Sequence, residues 1–144
     1  MPKIEYVEDS WDTELLLDSL SPPVRNWFKD KFPDFTDPQK LAIPRILKGE
    51  HLLLCSPTGS GKTLTAFLSI IDDLVRRSLD GTLDKSVQCV YISPIKALAN
   101  DIQKNLIGPL TEIRERYLPG RAKEIKVGLR TGDTVEGPVR APKD

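Results

Sequence analysis

The stretch from Ser56 to Thr63, which reads SPTGSGKT, combines residue types and a spacing that suit the binding of phosphate groups. Gly59 and Gly61 allow the backbone to approach phosphate oxygens without an intervening Cβ atom. Lys62 supplies a positive charge for the terminal phosphates, and the Thr63 hydroxyl suits a bound Mg²⁺. The predicted site for a nucleoside triphosphate and Mg²⁺ consists of Ser56, Pro57, Thr58, Gly59, Ser60, Gly61, Lys62 and Thr63, with Lys62 and Thr63 as its catalytic members.

A loop of this kind works between a strand and a helix, because the N–H groups at the start of the helix form a positive end that attracts an anion. The apolar run HLLLCS at 51–56 predicts a buried strand. Apolar residues at helical spacing follow Lys62 and predict a helix with one buried face. They are Leu64, Phe67, Leu68, Ile71, Leu74 and Val75.

Two helices are predicted upstream of this unit. The first begins near Ser21, where prolines are accepted in the first turn. The second has Thr36 as a plausible N-cap and Gly49 as a plausible end, and Pro44 should bend it.

Two more strands are predicted downstream, VQCVYIS at 87–93 and EIKVGLR at 124–130. A helix between them begins near Ile95 and is kinked or restarted at Gly108-Pro109. Strands and helices in alternation predict an α/β domain with a parallel sheet flanked by helices.

Composition narrows the class of protein. The 144 residues are 39% apolar, and 21 Lys and Arg residues balance 21 Asp and Glu residues, so any nucleic-acid surface must be a local patch. No apolar run approaches the roughly 20 residues that cross a bilayer, and the polar N-terminus is not a secretory signal. Cys55 and Cys89 end apolar runs, which predicts buried free thiols, and His51 is expected at the surface. A reducing, cytoplasmic compartment fits this pattern.

The loop has Ser56 where the commonest phosphate loops have glycine. A small residue followed by Pro-Thr-Gly-Ser-Gly-Lys-Thr resembles the first motif of the superfamily 2 helicases. Upstream, FTDPQKLAIPRILKGE at 35–50 resembles the helicase Q motif, and Gln39 stands where that motif has the glutamine that reads adenine. The resemblance implies ATP as the nucleotide and Gln39 as an ATP-binding residue. Aromatic residues in the position to stack on the base are Phe28, Phe32 and Phe35, and the sequence does not choose among them.

Two downstream segments resemble the nucleic-acid motifs of the same superfamily. YISPIKALANDIQKNL at 91–106 resembles motif Ia, and GLRTGDT at 128–134 resembles a signature of the large helicase-related (Lhr-type) DNA helicases of archaea and bacteria. The resemblance implies contacts to the backbone of a single strand, with DNA favoured over RNA and tracking from 3′ to 5′. The implied nucleic-acid-binding residues are Ser93, Pro94, Lys96, Arg130, Thr131 and Gly132.

By this resemblance the chain is the incomplete front part of a RecA-like P-loop NTPase domain in an ATP-dependent helicase. The expected organisation is an N-terminal extension at 1–20, a partial helicase ATP-binding domain at 21–134 and a flexible tail at 135–144. The acidic Asp-Glu motif and the second RecA-like domain are absent, so we expect this fragment alone to be inactive. The acidic motif lies on an inner strand of the fold, so we also expect an exposed apolar sheet edge.

Other function classes fit parts of the pattern. A regulatory nucleotide-binding module that does not hydrolyse ATP would keep the loop, and an RNA helicase fragment would keep every motif. A small-molecule kinase would need an Arg-rich lid, which the sequence does not show. Gln39 together with the motif Ia segment favours the motor over the kinase.

Overall fold

The computed structural model describes residues 1–57, 59–94, 100–118, 120, 124–128 and 130. Its α-helices are α1 (Thr13–Ser19), α2 (Pro22–Lys31), α3 (Asp37–Leu47), α4 (Lys62–Asp80) and α5 (Gly108–Arg116), and a π-helical turn (Gln103–Ile107) leads directly into α5. None of the helices in the described ranges is long and apolar enough to span a membrane.

Helix α4 is the centre of the core, and the other helices pack around it. Its predicted apolar face is confirmed: Leu64, Phe67, Leu68, Ile71 and Val75 are buried, and Leu74 is partly buried against them. Apolar side chains from α1, α2 and α5 complete the cluster, including Leu16, Val24 and Ile113. Burial of this apolar face stabilises the helix and fixes its position.

The predicted boundaries of α2 and α3 are confirmed. Ser21 is the N-cap of α2 and Thr36 is the N-cap of α3. Helix α3 continues through Pro44, which has no N–H to donate to the carbonyl of Lys40. The backbone N–H of Trp11 donates to that carbonyl over 3.1 Å, so the N-terminal segment satisfies the acceptor that the proline leaves open.

Helix α1 was not predicted from the sequence. Asp12 caps it by accepting from the backbone N–H of Leu15 over 2.8 Å, and Leu16 is fully buried. Prolines at 22 and 23 then start the next helix, since their fixed φ suits a first turn. A helix of seven residues holds its place here by packing, because it is too short to be stable alone.

A buried carboxylate fastens the junction of α1 and α2 to α4. Asp72 has a side chain that is 1% exposed, and it accepts from the Ser21 N–H over 2.6 Å and from the Ser21 hydroxyl over 2.7 Å. Arg76 donates to the other carboxylate oxygen over 2.8 Å and to the carbonyl of Ser19 over 2.6 Å. The charge of Asp72 is therefore compensated by three donors, as a buried carboxylate requires.

A second polar contact joins α2 to α5. Glu112 accepts from the indole N–H of Trp27 and from the ammonium of Lys31, each over 2.7 Å. The hydrogen bond from Lys31 makes the largest contribution and that from Trp27 the next, and together they hold the pKa of Glu112 below its usual value. The contact favours the folded state above the ordinary pKa of a glutamate, and it is lost as the pH falls through the lowered pKa.

The predicted irregularity at Gly108-Pro109 takes the form of the π-helical turn. The N–H of Gly108 donates to the carbonyl of Gln103, five residues earlier. A Cβ atom at position 108 would lie 3.0 Å from that carbonyl oxygen, so glycine permits the wider turn. Pro109 then enters the first turn of α5, where its missing N–H removes no helical hydrogen bond.

The three predicted strands are not formed in the described residues. The segments 51–56, 87–93 and 124–128 with 130 belong to no ladder, and residue 129 lies outside the described set. Burial nevertheless alternates along 51–57 and along 124–127, with Ile125 buried. The alternating residues at 124–127 predict one-sided packing, whereas the apolar run at 51–56 predicts a buried strand. A strand also needs a neighbouring backbone at hydrogen-bonding distance. Among the described residues these segments do not provide that neighbour for one another.

Both cysteine predictions were wrong for the same reason. Cys55 and Cys89 are free thiols that lie exposed. Leu53 is 87% exposed and Ile92 is 88% exposed, in the same two segments. Apolar side chains on both faces of a segment are typical of an inner parallel strand. Here one face of 51–57 stays exposed, and in 87–93 Val87 and Val90 are exposed as well.

We expect Asp72→Ala to lower the free energy of unfolding by about 3 kcal/mol, because it leaves the Ser21 donors buried without an acceptor. Urea unfolding followed by far-UV circular dichroism measures the change. Asp73→Ala is the matched control, since Asp73 is exposed on the same helix and its nitrogen–oxygen distance to Arg77 is 3.7 Å. That control should cost under about 0.5 kcal/mol. Equal losses for both variants would contradict the stabilising role of the contacts that Asp72 makes with Ser21 and Arg76.

The exposed apolar segments predict that the chain self-associates. Leu53→Lys or Ile92→Lys should weaken association about tenfold or more, since each removes a large apolar side chain from the contact. Sedimentation over a range of protein concentrations measures the effect. Ile4→Lys, at an 81% exposed position in the N-terminal segment, is the control that should leave association unchanged. A wild-type chain that stays monomeric at every concentration would refute the prediction.

Candidate functional site

The loop predicted to hold phosphate connects the segment 51–56 to the start of α4. Gly59 has φ of +83° and Gly61 has φ of +82°, both in the left-handed region that glycine adopts without strain. Gly61 is the N-cap of α4, and its carbonyl accepts from the Thr65 N–H over 2.9 Å and the Thr65 hydroxyl over 2.7 Å. The two predicted glycines therefore shape the turn and set the start of the helix.

Lys62 is the first residue of α4, and its ammonium turns back into the loop. It donates to the backbone carbonyl of Ser56. The Ser56 hydroxyl is in turn hydrogen-bonded to the Ser60 hydroxyl, four residues along the loop. Ser60 also donates its N–H to the carbonyl of Pro57 over 3.3 Å. The structure thus brings Ser56, Pro57, Ser60 and Lys62 together around one short turn, and Thr58 lies outside the described residues.

Gln39 reaches this loop from α3. Its side chain is buried, with 3% of the residue exposed, and its oxygen Oε1 accepts from the Thr36 N–H over 2.9 Å. Its Nε2 atom lies where a side chain on Gly61 would be, 2.7 Å from the position of an added Cβ. The Gln39 amide is therefore held against the N-cap of the helix that carries Lys62.

Thr36 is a residue of the site that the sequence reasoning assigned only to helix capping. Its hydroxyl donates to the carbonyl of Ser60 over 2.9 Å, so α3 contacts the loop through both Thr36 and Gln39. The pair forms a capping box, in which a Thr N-cap is followed three residues later by Glu or Gln. That spacing is visible in the sequence and indicates that Gln39 has a structural contact besides any ligand.

Thr63 follows Lys62 in the first turn of α4 and is half-buried. It lines an open groove of about 760 Å³ beside the loop. The other groove residues are mostly apolar and come from α3, the segment 50–54, α4 and the segment 90–91; they include Ile46, Leu52, Ala66, Ile70 and Tyr91. The hydroxyl is thus placed where it can face a ligand held by the loop.

The aromatic candidates for stacking on a base have different surroundings. Phe28 and Phe35 are buried and stack on each other, with ring centroids 4.0 Å apart and 10° between the planes. Phe32 is half-buried and lies 5.1 Å from the Phe28 ring. Phe32 is therefore the candidate with an accessible ring face.

The predicted nucleic-acid residues are only partly described. Ser93 is half-buried, while Pro94 and Arg130 are exposed. Lys96, Thr131 and Gly132 lie outside the described residues. Among the described residues, neither Ser93 nor Pro94 is seen in contact with Arg130. The nucleic-acid-binding surface therefore stays a prediction.

The contact of Gln39 with Gly61 predicts different costs for two glycine substitutions. Gly61→Ala and Gly59→Ala both force alanine into the left-handed region, which costs about 1 kcal/mol. At Gly59 no atom lies within 4 Å of the added Cβ, whereas at Gly61 the Cβ would meet Gln39. Gly61→Ala should therefore cost about 1 kcal/mol more, because it displaces Gln39 from the Thr36 N–H. Urea unfolding measures both, and equal losses would contradict the contact.

Comparison with known proteins places this site in a family. The family model described as DEAD/DEAH box helicase matches residues 36–132, which includes Gln39, the loop, the segment 91–106 and the first five residues of the segment 128–134. No solved structure matches the chain significantly.

Curated relatives match over most of the chain. An ATP-dependent helicase Lhr-Core of Methanocaldococcus jannaschii is 43% identical over 93% of this chain and 16% of its own length, and that of Methanothermobacter thermautotrophicus is 55% identical over 80% of this chain and 14% of its own length. The Lhr helicase/uracil glycosylase of Escherichia coli is 43% identical over 85% of this chain and 8% of its own length. The chain thus spans at most 16% of the length of these relatives. Since a helicase family model matches more than half of it, the chain belongs to the DEAD/DEAH box helicase family.

Proposed function

We propose that this chain is the ATP-binding front portion of an ATP-dependent nucleic-acid helicase, in which ATP hydrolysis by the whole protein drives movement along a DNA strand. The observation that carries the proposal is the position of Gln39 against Gly61, beside Lys62 at the start of α4. The Gln39 amide, which suits a base, therefore lies close to the loop whose Lys62 ammonium suits phosphates.

The phosphate groups of the nucleotide are assigned to the loop at 56–63. The N–H groups from Gly59 to Thr63 and the Lys62 ammonium would hold the phosphates, because the loop is open at Gly59 and the helix start is positive. Thr63 would hold a Mg²⁺, which neutralises phosphate charge when bound. The residues present fit this ligand, since a hydroxyl and an ammonium follow the left-handed turn directly.

The base is assigned to Gln39. An amide both donates and accepts, which matches the N6 and N7 edge of adenine. Its oxygen keeps one lone pair after accepting from the Thr36 N–H, and its nitrogen donates no hydrogen bond to any described residue. One acceptor site and the donor function of the amide are thus left for the adenine edge.

Nucleic acid is assigned to the segments at 93–96 and 130–132, through Ser93, Pro94, Lys96, Arg130, Thr131 and Gly132. Contacts from such residues go to backbone phosphates and should weaken as salt is added. We further propose a RecA-like parallel sheet for the whole protein, in which 51–56, 87–93 and 124–130 are strands. Residues 1–20 precede this domain, residues 21–134 belong to it, residues 135–144 follow it, and the protein acts in the cytoplasm.

Two substitutions test the assignment of phosphates and base separately. Lys62→Ala should weaken binding of a fluorescent ATP analogue about ten- to hundredfold, because it removes a charge-assisted hydrogen bond. Gln39→Glu keeps the acceptor for the Thr36 N–H but loses the amide donor, so it should weaken ATP binding about tenfold. Because the new carboxylate is buried, this variant should also lower the free energy of unfolding by about 1–3 kcal/mol, and binding is measured on the folded protein. Fluorescence anisotropy in the presence of Mg²⁺ measures both affinities.

Controls make the test specific. Lys29→Ala and Gln103→Ala change exposed residues of the same types outside the site and should leave the affinity unchanged. Inorganic triphosphate has no base and meets only the added negative charge of Gln39→Glu, so this variant should weaken triphosphate less than it weakens the ATP analogue. ATP binding that ignores Lys62, or a Gln39→Glu variant that binds ATP and GTP as the wild type does, would refute the proposal.

A further inference from the structure

The hydroxyl pair of Ser56 and Ser60 is a contact that a phosphate loop with glycine at its first position cannot make. Ser56 stands at that position, and its hydroxyl is hydrogen-bonded to the Ser60 hydroxyl. Both residues are half-buried, so the bond is partly shielded from water. It joins the two sides of the turn across four residues.

Ser60 is held at two further points. Its N–H donates to the carbonyl of Pro57 over 3.3 Å, and its carbonyl accepts from the Thr36 hydroxyl over 2.9 Å. The side of the loop that contains Ser60 is therefore fixed to α3, and the Ser56 hydroxyl ties the other side to it.

The same closed loop also engages Lys62. The ammonium donates to the carbonyl of Ser56, so the loop supplies its own acceptor in place of a phosphate oxygen. An incoming triphosphate must take Lys62 from this carbonyl and the Ser60 N–H from the Pro57 carbonyl. Each contact that holds the closed arrangement therefore opposes binding.

We propose that the Ser56–Ser60 hydroxyl pair is a latch that keeps the loop closed around Lys62 until a nucleotide enters, and so sets the affinity and the rate of binding. This inference rests on the proposed function of the loop. A ligand that binds only the open loop has its apparent affinity reduced by the fraction of molecules that are open. Removing one neutral hydrogen bond from the closed form should raise the apparent affinity about two- to tenfold.

A latch and a supporting contact predict opposite results. If the hydroxyl pair merely supported the bound loop, its loss would weaken binding through faster release. If it closes the empty loop, its loss should speed association and tighten binding. The direction of the change therefore separates the two roles.

Stopped-flow fluorescence with an ATP analogue and Mg²⁺ on the full 144-residue chain is the test. We expect Ser56→Ala to associate about two- to tenfold faster and to bind correspondingly tighter. Ser60→Ala should produce the same gain, and the double variant should gain no more than either single variant, because both remove one bond. Ser69→Ala is the control: Ser69 is buried on α4 and bonds only the Thr65 carbonyl, over 3.1 Å, among the described residues, so both rates should stay unchanged.

A second readout needs no nucleotide. Hydrogen exchange of the loop amides at 59–62 should be faster in Ser56→Ala than in the wild type, and unchanged in Ser69→Ala. Unchanged or slower association in Ser56→Ala, or additive gains in the double variant, would overturn the latch while leaving Lys62-dependent binding intact. A wild type without Lys62-dependent binding would instead refute the proposed function, and unchanged amide exchange in Ser56→Ala would then overturn the latch separately.

Discussion

The left-handed turn at Gly61 is the constraint on which the rest of the site depends. A side chain there would collide with the Gln39 amide, and α4 starts at the next residue. Glycine at this position therefore lets the Gln39 amide lie against the N-terminus of α4. Because Thr65 bonds the Gly61 carbonyl through both its N–H and its hydroxyl, the turn is also fixed from the helix side.

The N-terminal helices provide the rigid support for this turn. Apolar packing around α4 fixes the position of the helix, and Asp72 fixes the junction of α1 and α2 to it through Ser21. The Trp11 N–H donates to the Lys40 carbonyl in α3, which Pro44 leaves without a donor, so the segment that precedes the helices contributes to the support as well. A ligand held by Lys62 would thus be held by the best-packed helix of the described chain.

Sequence reasoning succeeded where the structure is determined by local chemistry. The turn at Gly59 and Gly61, the Thr36 cap and the apolar face of α4 each depend on residues within a few positions of one another, and all three are present in the structure. The role of the two glycines toward phosphate stays a prediction. Helix α1 was missed because it is short and its stability comes from packing. The contact of Gln39 with Gly61 was not predicted, since the two residues are 22 positions apart; the family resemblance implied only that Gln39 binds ATP.

The predicted strands are not formed in the described residues, for a different physical reason. Alternating burial along 51–57 follows from side-chain direction, which the sequence encodes. A ladder depends on which backbone lies alongside, and neither periodicity nor composition specifies that. The exposed Leu53 and Cys55 belong to a face that the described residues leave uncovered, which is why the thiol predictions failed together with the strands.

The most direct test of the central claim is a crystal structure of the chain with a non-hydrolysable ATP analogue and Mg²⁺. The account predicts the triphosphate within the turn at 56–63, the Lys62 ammonium moved from the Ser56 carbonyl to the phosphates, and the Gln39 amide within hydrogen-bonding distance of the adenine. An analogue bound elsewhere, or an adenine that makes no contact with Gln39 while the phosphates occupy the loop, would contradict it.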